Sequence, residues 1–160
     1  CNANIITDKA PLNFRWIGFI KSIFPNSIII HCSRDSFENS WSIYKNEFEG
    51  GMFFSNDIKD IVNYYKIYQD LMDFWKKNLK NQIFDLKYED LINNPEQKIK
   101  ELIKFCDLSW QQNCLEFYKN KKIIKTVSFN QARKPIYKDS IKGTLNFKKY
   151  LKNLDSELKN

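Results

Sequence analysis

The chain has 160 residues, 42% of them hydrophobic and 16% aromatic, and a formal net charge of +7 from 26 basic and 19 acidic side chains. That length suits one domain whose core needs no disulfide staples, and the composition excludes a disordered chain. No apolar run is long enough to span a bilayer, no signal peptide is visible, and Cys1, Cys32, Cys106 and Cys114 with the lone His31 make no zinc-ligand pattern, so no metal is expected and a reducing, cytoplasmic setting is.

In chain order, Ile5-Ile6 reads as a short strand ending near Lys9. Pro11 then opens a helix, with Leu12, Trp16, Phe19, Ile20 and Ile23 at helical spacing, and Pro25-Asn26 closes it. Ser27 to Cys32 is a second strand, apolar on both faces and so expected in a sheet interior, with Cys32 a buried thiol. A helix from about Phe37 to Asn46 follows, and "GGMFFSND" is a loop. Asp57 caps a long helix carrying Ile58, Ile61, Val62, Tyr65, Tyr68, Met72, Trp75 and Leu79. "QIFDLKYEDL" is a third strand and its exit. "NNPEQKIKELIKFCDL" is a helix with Asn94 as cap, Pro95 in the first turn, and Ile99, Leu102, Ile103 and a buried Cys106 on its apolar face. A shorter helix covers Gln111 to Tyr118, and the tail from Phe147 is amphipathic. The polar stretch between them, "KTVSFNQARKPIYKDSIKG", is long enough to be functional.

Strands alternating with helices indicate an α/β fold with a small parallel sheet and a large helical share. Such sheets bind ligands beyond the carboxyl ends of their strands, where Lys9, Arg34 and Tyr88 are expected. The basic charge favours an anionic partner, but it is carried by scattered lysines that read singly as solvated surface. The arginines, Arg15, Arg34 and Arg133, are few, and a guanidinium fork suits phosphate. Arg34 follows an apolar strand and precedes a helix whose N-terminus offers unpaired N–H groups, with Ser42 about two turns further on. Two readings stand: Arg34 and Ser42 hold a phosphate, or Arg34 pairs with Asp35 or another carboxylate and Ser42 is an ordinary helix residue.

"TDKAPLNFRWIGFIKSIFPNSIIIHCSRDSFENSWS" and "KYEDLINNPEQKIKELIKFCDLSW" resemble sulfotransferases, above all the bacterial ones that often carry tetratricopeptide repeats upstream, and more weakly the tyrosylprotein sulfotransferases. The likeness runs from Thr7 to about Gly143. It implies a partial P-loop-like fold and transfer of a sulfonyl group from 3′-phosphoadenosine 5′-phosphosulfate (PAPS) to a hydroxyl of a peptide, sugar or small molecule. It implies that Arg34 and Ser42 hold the 3′-phosphate, that Tyr88 of the "YED" block meets the adenine, and that Ser128 and Lys142 reach the cofactor. It also implies that Lys9 sits at the reacting centre, where an ammonium neutralises charge developing on the sulfonyl and the leaving phosphate. Without the resemblance, Lys9 is surface, Tyr88 a core aromatic, and Ser128 a loop serine bonded to local backbone. The tryptophan that related sequences often have after Lys142 is replaced here by Thr144 or Leu145.

The family's Gly/Ser/Thr-rich loop for the 5′-phosphosulfate has no counterpart before Lys9, and the usual Glu or His base is not visible either. His31 lies inside a strand pattern and is poorly placed for that role. The 160 residues are therefore expected to form a single sulfotransferase-like domain lacking that loop, with weak or no turnover alone. The alternatives are a nucleotide-binding module without chemistry, or a polyanion-binding module using Tyr64, Tyr65 and Tyr68 as stacking platforms. The helical spacing of those tyrosines favours the core, so nucleic acid is not expected. An uncovered strand edge would invite pairing with a second chain.

Overall fold

Pro11 fixes the backbone angle that a first helical turn needs, and the chain turns there. In the computed structural model, which describes residues 5–46, 52–120, 134–136 and 152–158, a 3-10 segment over Pro11–Trp16 runs straight into α1 (Ile17–Ile23). Residues 5–10, expected to be a strand ending at Lys9, are irregular instead. Ile5 and Ile6 are 59% and 79% exposed, with no described strand alongside to bond them. The apolar stripe of α1 is also not the buried face: Ile17 is buried, while Trp16, Phe19 and Ile23 are exposed. The long helix α3 (Ile58–Asn78) instead approaches α1 at Gly18, where an added Cβ would lie 2.5 Å from the Trp75 ring. The Trp75 indole N–H donates to the Phe14 carbonyl at 3.0 Å and locks this approach.

β1 (Ile29–Ser33) and β2 (Ile83–Lys87) pair in parallel, with Ile29 opposite Ile83 and Ser33 opposite Lys87. They are the two strands of the sheet among the described residues, so β1 is not interior: Ile30 is 42% exposed and Cys32 is exposed rather than buried. An apolar run reports what a strand can bury, not whether a neighbour is present on each flank. Cys106, too, is only half-buried.

Two aspartates start the helices that follow. Asp35 caps α2 (Ser36–Tyr44), its Oδ1 accepting the Glu38 N–H at 2.9 Å, and Asp57 Oδ1 accepts from Lys59 and Asp60 at the start of α3 at 2.7 and 3.3 Å. Ile61, Val62 and Met72 are the fully buried residues of α3, as its periodicity predicts. Phe37 of α2, Val62 of α3 and Leu154 of the C-terminal helix α6 (Lys152–Glu157) form one buried cluster, flanked by Ile58 and Leu158.

β2 runs directly into α4 (Tyr88–Asn93) and then α5 (Pro95–Phe105). Asn94 occupies the cap position of α5 but makes no side-chain cap bond, and Pro95 sets the first turn. The Phe84 and Phe105 rings, 5.1 Å apart, tie α5 to one face of β2. The helix expected over Gln111 to Tyr118 is two 3-10 turns, Gln112–Cys114 and Phe117–Lys119, each too short to propagate an α-helix. The fold is thus mixed α/β with a small parallel sheet and a helical majority. No described helix is long and apolar enough to cross a membrane.

Candidate functional site

Parallel pairing brings the carboxyl ends of β1 and β2 side by side. The next residue on one chain segment is Arg34 and on the other Tyr88. The guanidinium carbon lies 5.1 Å from the Tyr88 ring centroid, within cation–π range. Glu38, in the first turn of α2, accepts from Arg34 Nη2 at 3.2 Å, and the two side chains are 28% and 14% exposed. Arg34 therefore does pair with a carboxylate, but Asp35 is not it: Asp35 is committed to the cap, and its own N–H donates to Glu89 Oε1 at 3.0 Å. Ser42 lies one turn beyond Glu38 on α2, half-buried, and by spacing shares the face that starts at Arg34.

Of the residues singled out in the sequence, Arg34 and Tyr88 are brought into contact, and Ser42 is placed on the helix that Arg34 precedes. Lys9 is not at a strand end; it is exposed on the irregular segment before Pro11. Ser128 and Lys142 lie outside the described residues. Among the described residues no group of His, Cys, Asp and Glu is arranged to hold a metal ion.

Beneath the mouth, His31 of β1 is buried opposite Asp85 of β2, with Nδ1 2.5 Å from Asp85 Oδ1 and Nε2 2.5 Å from the Tyr68 hydroxyl. A carboxylate only accepts, so Nδ1 carries the proton, and in the neutral ring Nε2 accepts from the phenol. Burial, with Tyr65 and Asp85 nearby, pushes the Tyr68 phenol up to about 12, which keeps it protonated. Burial opposes ionisation of Asp85, but hydrogen bonds from His31 and Lys76 outweigh it and hold the carboxyl below its ordinary value; Lys76 Nζ is 3.0 Å away. Burial and then the Asp35 and Glu89 carboxylates raise the Tyr65 phenol, which places that ring within the field of the site.

Glu38, Glu89 and Asp85 were missed from sequence, Tyr65 and Tyr68 were weighed only as stacking platforms or core, and His31 was set aside as a base. One signal was there to find: His31 in β1 and Arg34 and Asp35 just beyond it have the same spacing as Asp85 in β2 and Tyr88 and Glu89 just beyond it. Chemically, the mouth joins a guanidinium, an aromatic face and the positive end of a nine-residue helix. That combination suits an anionic group attached to a planar ring.

Residues 1–112 match the sequence model of the Sulfotransferase family. The chain belongs to the sulfotransferase family. The matched span contains both strands, Arg34, Ser42 and Tyr88, and ends before Ser128 and Lys142. An Aquifex aeolicus protein without a functional name is similar, 38% identical over 149 residues that make up 91% of this chain and 20% of that protein. So is a Caenorhabditis briggsae protein whose name proposes a protein-tyrosine sulfotransferase, 26% identical over 115 residues, 71% of this chain and 40% of that one. This sulfotransferase chain thus spans about a fifth and two-fifths of the relatives it matches.

Proposed function

We propose that these 160 residues form one sulfotransferase-like domain that carries the 3′-phosphate and adenine side of a PAPS site in an enzyme sulfonating a hydroxyl. The observation that carries this reading is the Arg34–Tyr88 contact beyond the adjacent strand ends, with α2 starting at the same point. Arg34 and the α2 N-terminus bind the 3′-phosphate, Ser42 adds a hydroxyl donor, and Tyr88 lies against the adenine. Ser128 and Lys142 complete the cofactor contacts. Lys9 offers its ammonium to the charge that builds on the bridging oxygen as the sulfur–oxygen bond to the 5′-phosphate breaks. The acceptor oxygen forms the new bond to sulfur and loses its proton to a base that Lys9, a cation at neutral pH, does not provide.

Before Lys9 the 160 residues hold no Gly/Ser/Thr-rich run of the kind that cradles a 5′-phosphosulfate. By themselves they bind the reaction's nucleotide product, 3′-phosphoadenosine 5′-phosphate (PAP), and turn PAPS over weakly or not at all. Calorimetric titration with PAP, beside a labelled-sulfate transfer assay on tyrosine peptides, sugars and small alcohols, tests this. Saturable PAP binding with negligible transfer is expected. No PAP binding overturns the assignment of the site, and robust Lys9-dependent transfer overturns the division of the site.

A further inference from the structure

His31 is buried and polar, in a strand that is otherwise largely apolar, and the function proposed above does not use it. Its environment is built from three elements. Asp85 comes from β2, and Tyr68 and Lys76, two turns apart on one face, come from α3. The Tyr68 ring also meets Phe14 edge-on at 5.1 Å, so the cluster reaches the N-terminal helical segment.

What the cluster does follows from strand register. In a sheet a slip of one residue turns every side chain to the opposite face, and register is held strongly only where one face is clearly buried. The pair of strands lacks that safeguard: β1 buries the His31 face and exposes Ile30 and Cys32 on the other, whereas β2 buries Leu86 on that other face and exposes Asp85. The opposing pair His31 and Asp85 supplies it. Sliding β2 by one residue would set Phe84 or Leu86 opposite His31 and separate the imidazole from its carboxylate. The offset that this pair fixes, 54 residues, also joins Asp35 to Glu89, and Arg34 to Tyr88. The strand residues that choose the register thereby choose which side chain the guanidinium meets.

We propose that the His31–Asp85 pair, held to α3 by Tyr68 and Lys76, is the positioning unit of the Arg34–Tyr88 site: it sets the register that lays the guanidinium over the ring. Its consequence for nucleotide binding rests on the function proposed above; its effect on the Arg34–Tyr88 contact does not.

The test separates the two. The side-chain N–H resonance of Arg34 in the nitrogen–proton spectrum reports the ring current of Tyr88. It is recorded in the wild type, Tyr88→Leu, Asp85→Leu and the conservative Asp85→Asn, each checked by circular dichroism to be folded. The resonance in Asp85→Leu moves to its position in Tyr88→Leu, whereas Asp85→Asn, which still accepts from Nδ1, stays near the wild type. Tyr68→Phe, which loses only a hydroxyl, carries the same comparison if the leucine variant does not fold, and shifts in the same direction. Titration with PAP on the same samples shows affinity falling about 10-fold where the resonance moves. If the resonance moves while the wild type binds no PAP, the positioning role stands and the nucleotide reading falls. A folded Asp85→Leu or Tyr68→Phe whose Arg34 resonance matches the wild type overturns the positioning role.

Discussion

The Arg34 guanidinium lies 5.1 Å from the centre of the Tyr88 ring, although 54 residues separate the two in sequence. Parallel pairing of β1 with β2 produces this contact, because each residue is the first beyond its strand. Glu38 steadies the guanidinium from α2 and Glu89 holds the Asp35 amide from the other side. The mouth of the sheet is thus defined by side chains from both strand exits.

Replacing Arg34 with Ala removes the charged donor at that mouth. Losing one charge-assisted contact to phosphate costs on the order of 1.5–3 kcal/mol. PAP affinity therefore falls about 10- to 100-fold in calorimetric titration. Arg15, in the last turn of the 3-10 segment, is exposed and follows neither strand in sequence, so Arg15→Ala leaves PAP affinity unchanged.

Acid weakens the protein through Asp85. Its carboxyl is held below the ordinary value of 3.8 by His31 and Lys76, against the opposing effect of burial. The folded state then binds fewer protons than the unfolded chain in that range. The stabilisation is fully present above the unfolded value and is lost as pH falls through the folded one. Urea titrations between pH 6 and about pH 3 show this loss in the wild type. In Asp85→Asn the acid limb is shallower; an unchanged limb would place the acid sensitivity elsewhere.

Leu154 is 2% exposed and shares its cluster with Phe37 and Val62. Leu154→Ala leaves a cavity between α2, α3 and α6 and costs about 2–5 kcal/mol in urea unfolding. A loss below about 0.5 kcal/mol, the range of a surface substitution, would mean that α6 does not dock on that core.

Gly18 faces the Trp75 ring at a distance that leaves no room for a side chain. Gly18→Leu forces α1 away from α3 and destabilises by about 1–3 kcal/mol, with a red-shifted Trp75 emission as the indole meets water.

Much of this was legible in the sequence, for reasons that are local. The cap at Asp57, Pro95 in a first turn, and the spacing of Ile61, Val62 and Met72 each act within a few residues, and α3 and α5 form where they indicate; α2 forms close to its expected span, and its cap at Asp35 is seen only in the structure. Arg34 and Tyr88 were legible as strand-end residues. What depended on distant partners was not. Ile5-Ile6 has strand-forming residues but no adjoining strand among the described residues, and Cys32 lies in an apolar run whose outer face is open. The expected stripe of α1 was turned by the contact between Gly18 and Trp75, which no periodicity encodes. Glu38 sits one turn from Arg34 and was within reach of pattern reading; Glu89, 54 residues from Asp35, required the register. His31 was set aside as a base because it lies in a strand, and the same placement gives it Asp85 as a cross-strand partner.

The most direct test of the 3′-phosphate site is a melting curve of the 160-residue chain with PAP, set beside one with 5′-AMP at the same concentration. The two nucleotides differ only in the 3′-phosphate that Arg34 and Ser42 are proposed to hold. A ligand present at about 100 times its dissociation constant stabilises by roughly 2.7 kcal/mol, which is readily visible as a shift in Tm. A clear rise with PAP and a much smaller one with 5′-AMP is the predicted result. Equal shifts with the two nucleotides would contradict it.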